Sequence, residues 1–223
     1  MDLKLLENAL MKFALGLLLV AALLFIPAGT LHFWNAWALI CALFVPMFIA
    51  GLVMLFKAPE LLRRRLNARE KQAEQKGVIA WSGLMFVAAF VLAGLGFRFG
   101  WYMLPRWACL VFAGLFLLGY GLFGEVLREN EYLSRTVEVQ KGQRVVDTGL
   151  YGIVRHPMYS ATLVMFLSMP LILGSVFSFV IMLGYVPIIA ARIRGEEALL
   201  ERELKGYREY ERKVRFRLIP HIW

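Results

Sequence analysis

Apolar residues along this chain gather in unbroken blocks, with the polar residues collected between them, instead of alternating at the spacing of a soluble helix or strand. A bilayer core about 30 Å thick takes roughly 20 helical residues to cross. Six blocks approach that length, over residues 11–28, 34–56, 78–97, 107–124, 157–174 and 176–191. The pattern predicts an all-α polytopic membrane protein with about six transmembrane helices. Gly174-Ser175 joins the last two, which are short and should form a helical hairpin of tilted or shallow members. A charged helix should follow at the C-terminus. The apolar run of the first block, Phe13 to Ile26, is near the upper length limit for the core of a secretory signal and no A-x-A-like cleavage site follows, so it is read as a span.

Composition agrees. Of 223 residues 60% are hydrophobic and mean hydropathy is +0.65, where soluble domains are roughly half apolar. The net charge of +9 would suggest nucleic acid in a soluble protein. Here it reads as orientation and headgroup contact, so no nucleic-acid partner is expected. Of 25 Lys and Arg, only Arg98 and Arg106 fall in the odd-numbered connections, and all 16 acidic residues lie on the other side. The asymmetry places both termini and the polar loops in the cytoplasm, in an integral membrane setting such as a prokaryotic inner membrane. Trp34, Trp37, Trp101 and Trp107 fall at the outer boundary and Trp81 at the inner one, as interfacial anchors. Cys41 and Cys109 lie in apolar runs and should be free. No Cys/His cluster with metal-ligand spacing exists, so no metal site is expected.

The chain is expected to form a single membrane domain. Residues 1–124 would supply four helices and a basic loop, 57–77, that reads as a surface helix after Pro59 with Arg63, Arg64 and Arg65 near the headgroups. Residues 125–223 hold the chemistry. The fourth helix should continue to Glu131, Val137 and Val139 suggest a short extended piece, and Lys141-Gly142 and Thr148-Gly149 suggest turns. Pro157 is placed to open the fifth span with His156 near its N-cap. Such a start offers unpaired N–H groups to an anion, framed by Arg155 and His156. A snorkelling pair of interfacial anchors would look the same. Beyond the sixth span Glu196, Glu197, Leu200, Glu203, Leu204 and Tyr207 recur at helical spacing, either as a solvated helix or as carboxylates for a cationic, hydroxylated ligand.

These residues resemble a known family. Arg155-His156-Pro157-x-Tyr159, preceded by Gly149-x-Tyr151 and followed by Glu196-Glu197-x-x-Leu200, Tyr207-x-x-Tyr210 and Arg217-Leu218-Ile219-Pro220, is similar to the isoprenylcysteine carboxyl methyltransferases and the related phospholipid methyltransferases. The resemblance covers roughly residues 125–223. Ala161 and Leu150 stand where that family often has Gly and Pro. What it implies is a membrane enzyme that moves a methyl group from S-adenosylmethionine to a lipophilic acceptor. Tyr151, His156, Pro157, Tyr159, Glu196, Glu197, Tyr207, Tyr210 and Arg217 would hold the cofactor. Arg155, His156 and Glu197 would be the catalytic candidates: Arg155 to orient a carboxylate acceptor, His156 or a glutamate to take a proton from a thiol, phenol or amine. Partners would be the lipophilic substrate and membrane lipids. Alternatives are an NADPH-dependent membrane reductase of the sterol type, disfavoured by the absence of a phosphate-cradling glycine loop, and a non-catalytic lipid-binding protein.

Overall fold

The computed structural model describes residues 3–66, 73–133 and 139–223. All regular elements among them are helical. In order they are α1 (Leu3–Ala28), α2 (Trp34–Lys57), α3 (Pro59–Leu66), α4 (Ala73–Arg98), α5 (Arg106–Glu129), α6 (Pro157–Ile172), α7 (Val176–Met182), α8 (Tyr185–Glu203) and α9 (Tyr207–Lys213). Five stretches are long and apolar enough to cross a bilayer: Leu3–Ala28, Trp34–Lys57, Ile79–Arg98, Arg106–Glu129 and Val176–Glu203. The remaining apolar helix, α6, has 16 residues. At 1.5 Å per residue it reaches about 24 Å, short of the hydrocarbon thickness, as its sequence suggested.

The structure corrects the pattern at two points. The block 176–191 is two helices, separated at Leu183-Gly184, and the second runs on to Glu203. Pro187 explains the break: it has no N–H to offer the Leu183 carbonyl four residues back, and its ring crowds that carbonyl. The fourth long helix stops at Glu129 instead of Glu131. Asn130 turns extended, at φ −115° and ψ 95°, and its Oδ1 accepts from the Tyr132 N–H at 3.0 Å, a local competition that ends helices. Of the proposed extended piece, Val137 lies outside the described residues, as do Ser134, Arg135 and positions 67–72 of the basic loop.

Lipid tails are as apolar as leucine, so helices here associate by close packing and polar stitches. Both are visible. A β-carbon on Gly94 of α4 would stand 2.6 Å from the Leu24 carbonyl oxygen of α1, and one on Gly119 of α5 would stand 2.7 Å from Met165 Cγ of α6. Asn35 of α2, 4% exposed, donates to the Ile172 carbonyl at 2.9 Å and to Cys109 Sγ at 3.3 Å. Ser178 Oγ of α7 donates to the Ala89 carbonyl of α4 at 2.8 Å. A core of Leu24, Phe33, Leu39, Phe116, Ile172 and Leu173 fills the centre.

Trp34, Trp37 and Trp101 gather where α1–α2, α4–α5 and α6–α7 connect: Arg106 lies over the Trp34 ring at 5.0 Å, and Trp37 Nε1 donates to the Leu31 carbonyl. The opposite end carries the basic and acidic residues. There α3 lies against its neighbours, with Lys12 Nζ on the Leu66 carbonyl at 2.7 Å and Arg64 on the Glu131 carbonyl at 2.9 Å.

Candidate active site

At the charged end three segments distant in sequence meet: the turn before α6, the last turns of α8, and the chain from α9 to the C-terminus. Pro157 takes the first helical position of α6 and His156 the N-cap, as the proline rule requires. The two residues expected to frame an anion there are themselves engaged, however. The Arg155 and His156 N–H groups donate to the Phe216 and Arg217 carbonyls at 2.8 and 2.9 Å, and Ser160 Oγ donates to the Leu218 carbonyl at 2.6 Å. The tail therefore roofs the helix start with carbonyl oxygens, which repel an anion. The tail is itself closed on the Trp223 carbonyl, which accepts from the N–H groups of Arg217, Leu218 and Ile219.

Glu197 is the hub beneath this roof. It is 3% exposed. Its Oε1 accepts from Arg155 Nε at 2.8 Å, pairs with the second guanidinium arm at 2.8 Å, and meets His156 Nε2 at 3.1 Å. Its Oε2 takes Arg217 Nε at 2.8 Å and Nη2 at 2.7 Å. The bond to Glu197 in turn raises the Arg217 pKa. Arg155 has five N–H donors, and five contacts use them: two to Glu197, one each to the Val214 and Arg215 carbonyls, and one to Glu211 at 3.4 Å. Buried charges require such pairing.

Beside the hub lies a cavity. Tyr151, Arg155, His156, Tyr159, Glu196, Tyr207 and Tyr210 line it; Pro157, Glu197 and Arg217 do not. The adjacent glutamates thus diverge, because successive side chains on a helix project about 100° apart. Glu196 Oε2 accepts from the Tyr159 hydroxyl at 2.6 Å, and that hydroxyl accepts from Arg192 Nε at 2.9 Å. Tyr151, in a 3-10 turn over Gly149–Gly152, accepts from Asn130 Nδ2 at 2.9 Å, and Tyr210 donates to the Tyr151 carbonyl at 2.8 Å. Gly149 has φ +51° and leaves room for Glu129, whose carboxylate accepts from the Leu150 N–H at 3.0 Å. Burial pushes the Tyr151 phenol up to about 12 and raises Tyr207 and Tyr210 well above their usual value. All three are neutral donors at physiological pH. Ala161 is fully buried and lies off the cavity.

One polar atom stands out. The Tyr207 hydroxyl is buried and unpartnered, the one such side-chain atom among the described residues, on a side chain 4% exposed that lines the cavity. A buried phenol without a partner is costly and calls for a ligand or water. Sequence reasoning passed over Arg192 and Asn130, both in the wall. Arg192 lies one turn before Glu196 on the same face of α8, a relation the sequence carries but which reads equally as an orientation charge.

Fold and site define a helical membrane protein with a polar, tyrosine-rich cavity built by its last helices and tail. Residues 107–205 match the family described as phospholipid methyltransferase. The match runs from α5 to just beyond α8, and the group it names is one that the sequence motifs resemble. The chain is also 29% identical over 91 residues to the Delta(14)-sterol reductase TM7SF2 of Mus musculus, covering 40% of this chain and 22% of that protein. It therefore spans less than a quarter of that relative's length.

Proposed function

We propose that the protein transfers a methyl group from S-adenosylmethionine to a lipophilic acceptor at the cytoplasmic face of the membrane, with residues 125–223 as the catalytic region. The observation that carries this reading is the coincidence of family match and cavity: motif residues from separate segments, Tyr151, His156, Tyr159, Glu196, Tyr207 and Tyr210, line one space. The cavity suits the cofactor. It offers an unpartnered hydroxyl in Tyr207, a carboxylate in Glu196, and aromatic faces of the kind that attract cations. When bound, the cofactor would supply an electrophilic methyl on a sulfonium: an acceptor lone pair forms the new bond to carbon as the C–S bond breaks and its electrons pass to sulfur.

The protein's part is alignment and exclusion of water. Tyr207 and Tyr210, their rings 5.8 Å apart, wall the cavity on the α9 side, and the tail seals the start of α6. With its donors occupied by Glu197, Glu211 and carbonyls, Arg155 acts as a positioning strut, as do Glu197 and Arg217. The lipophilic acceptor would enter from the bilayer and the cofactor from water. The similarity to a sterol reductase supports a second reading, NADPH-dependent reduction. It is weaker, since a dinucleotide brings several negative charges, and among the wall cations Arg155 is already neutralised by Glu197 and Arg192 is tied through the Tyr159 hydroxyl to Glu196.

Transfer of tritiated methyl from S-adenosylmethionine by the purified chain tests the proposal, against prenylcysteine, phospholipid, thiol and quinol acceptors in lipid nanodiscs. Label is expected in one acceptor class. No label in any of them, together with NADPH-dependent reduction of a sterol, would replace it with the second reading.

A further inference from the structure

Beyond α9 the chain is irregular, yet residues 214–223 are rich in apolar side chains, Phe216, Leu218, Ile219, Ile222 and Trp223 among them. Their depth is set by the helices they touch. Trp107 is exposed at one end of α5, and Leu127 lies 20 residues further on. At 1.5 Å per residue that spans about 30 Å, the thickness of the hydrocarbon core. Leu127 and Met158, in the first turn of α6, pack against one cluster with Val126, so α6 starts at the membrane boundary of the charged end. The tail is bonded to that turn through Ser160. Leu218 is buried in a cluster with Met85, Tyr159, Tyr185 and Ile189, and Met85 lies one helical turn inside the exposed Trp81 on α4. The tail thus reaches the edge of the hydrocarbon.

Irregular backbone is tolerated at that depth only where protein satisfies its polar groups. Here the N–H groups of Arg217, Leu218 and Ile219 donate to the Trp223 carbonyl, and those of Ile222 and Trp223 donate to the Ile219 carbonyl. The Phe216, Arg217 and Leu218 carbonyls accept from Arg155, His156 and Ser160. These bonds draw residues 216–223 into a compact loop. Its outer side carries Ile219, Ile222 and Trp223, all exposed, with Ile222 at 76%. Arg215 is exposed on the same segment, and the Arg217 guanidinium lies over the Trp223 ring at 5.5 Å. An indole and branched aliphatic side chains flanked by arginine suit the boundary between acyl chains and anionic headgroups.

We propose that the loop 216–223 is an interfacial anchor whose partner is the lipid leaflet at the charged end: Ile219, Ile222 and Trp223 enter the acyl-chain boundary, and Arg215 stays among the headgroup phosphates. The same loop brings Arg217 to Glu197 and covers the start of α6. Lipid contact on its outer side therefore holds that cover in place. This does not depend on the methyltransferase reading, since it concerns the outer face of the tail and no cofactor.

The test places one copy of the full-length chain in each nanodisc and subtracts the emission of Trp223→Phe from that of wild type, which isolates Trp223. Phospholipid brominated near the carbonyl end of its acyl chains should quench that difference about twofold or more, and aqueous iodide should leave it nearly unchanged. Quenching by iodide with no response to the brominated lipid would overturn the anchor and give this face to solvent or a water-borne partner. A second variant reads the hold on the tail. Ile222 is so exposed within the protein that Ile222→Asp has little to lose unless lipid covers it. In nanodiscs that substitution should speed proteolytic cleavage within residues 214–223 by roughly 5- to 10-fold, and Ile222→Leu should leave it unchanged. Equal cleavage of wild type and both variants would overturn the proposal.

Discussion

Replacing Glu197 with glutamine should loosen the charged end of the molecule, and the structure sets the size of the effect. Glu197 is 3% exposed and is held by Arg155, His156 and Arg217 at 2.7 to 3.1 Å. The amide keeps the shape but removes the charge, and turns an NH2 group toward one set of donors. Arg155, 9% exposed, would then retain only the Glu211 carboxylate at 3.4 Å. Removing one member of a buried ion pair costs about 3–5 kcal/mol. The Arg217 side chain is one-third exposed, so its share is small and the low end, about 3 kcal/mol, is expected. For a chain of this size that lowers the melting temperature by roughly 10 °C. The assay is heating in detergent followed by size-exclusion chromatography, with limited proteolysis of residues 214–223 as a local readout. Glu196→Gln, which keeps an acceptor for the Tyr159 hydroxyl, should melt within about 2 °C of wild type. Equal melting of wild type and the Glu197 variant, or an equal loss in the Glu196 variant, would refute the hub.

Gly94→Ala should destabilise by about 1–3 kcal/mol, because the new methyl meets the Leu24 carbonyl at 2.6 Å and backbone must move; Gly119→Ala should cost less, since its nearest neighbour at 2.7 Å is the Met165 side chain and the backbone atoms of Ala161 and Met165 stand back at 3.3 Å. Comparison of melting temperatures in detergent checks the order. Tyr207→Phe should melt at or slightly above wild type, because it deletes an unpartnered buried hydroxyl, yet bind S-adenosylhomocysteine several-fold more weakly, by roughly 1 kcal/mol, in calorimetry. Stability should fall as pH rises above 10. The Tyr151 phenol ionises at about 12 in the fold and near 10 in the unfolded chain, so the unfolded state releases its proton first. Absorbance at 295 nm against pH, with and without denaturant, measures this.

Legibility in the sequence followed the range of the forces. The spans and the start of α6 were readable because hydrophobic length and proline at a first helical turn are local rules. The break at Leu183-Gly184 was missed: Pro187 marks it, but unbroken apolarity concealed it. That Glu196 and Glu197 face different ways follows from helical geometry. Which of them meets the cavity does not, because the choice depends on Arg155 and Arg217, 42 and 20 residues away. Asn35 and Arg192 were hidden for a related reason: a single polar residue near a span end is ambiguous until its tertiary partners, Ile172 and Cys109 in one case and Tyr159 in the other, are known.

The central claim is that the cavity beside Glu196 and Tyr207 holds an adenosyl sulfonium cofactor. Equilibrium calorimetry on the full-length chain in nanodiscs, with S-adenosylhomocysteine and NADPH titrated separately, tests it most directly. Saturable one-to-one binding of S-adenosylhomocysteine, weakened by Tyr207→Phe, with no heat from NADPH, is the expected result; saturable NADPH binding without any response to S-adenosylhomocysteine would contradict it.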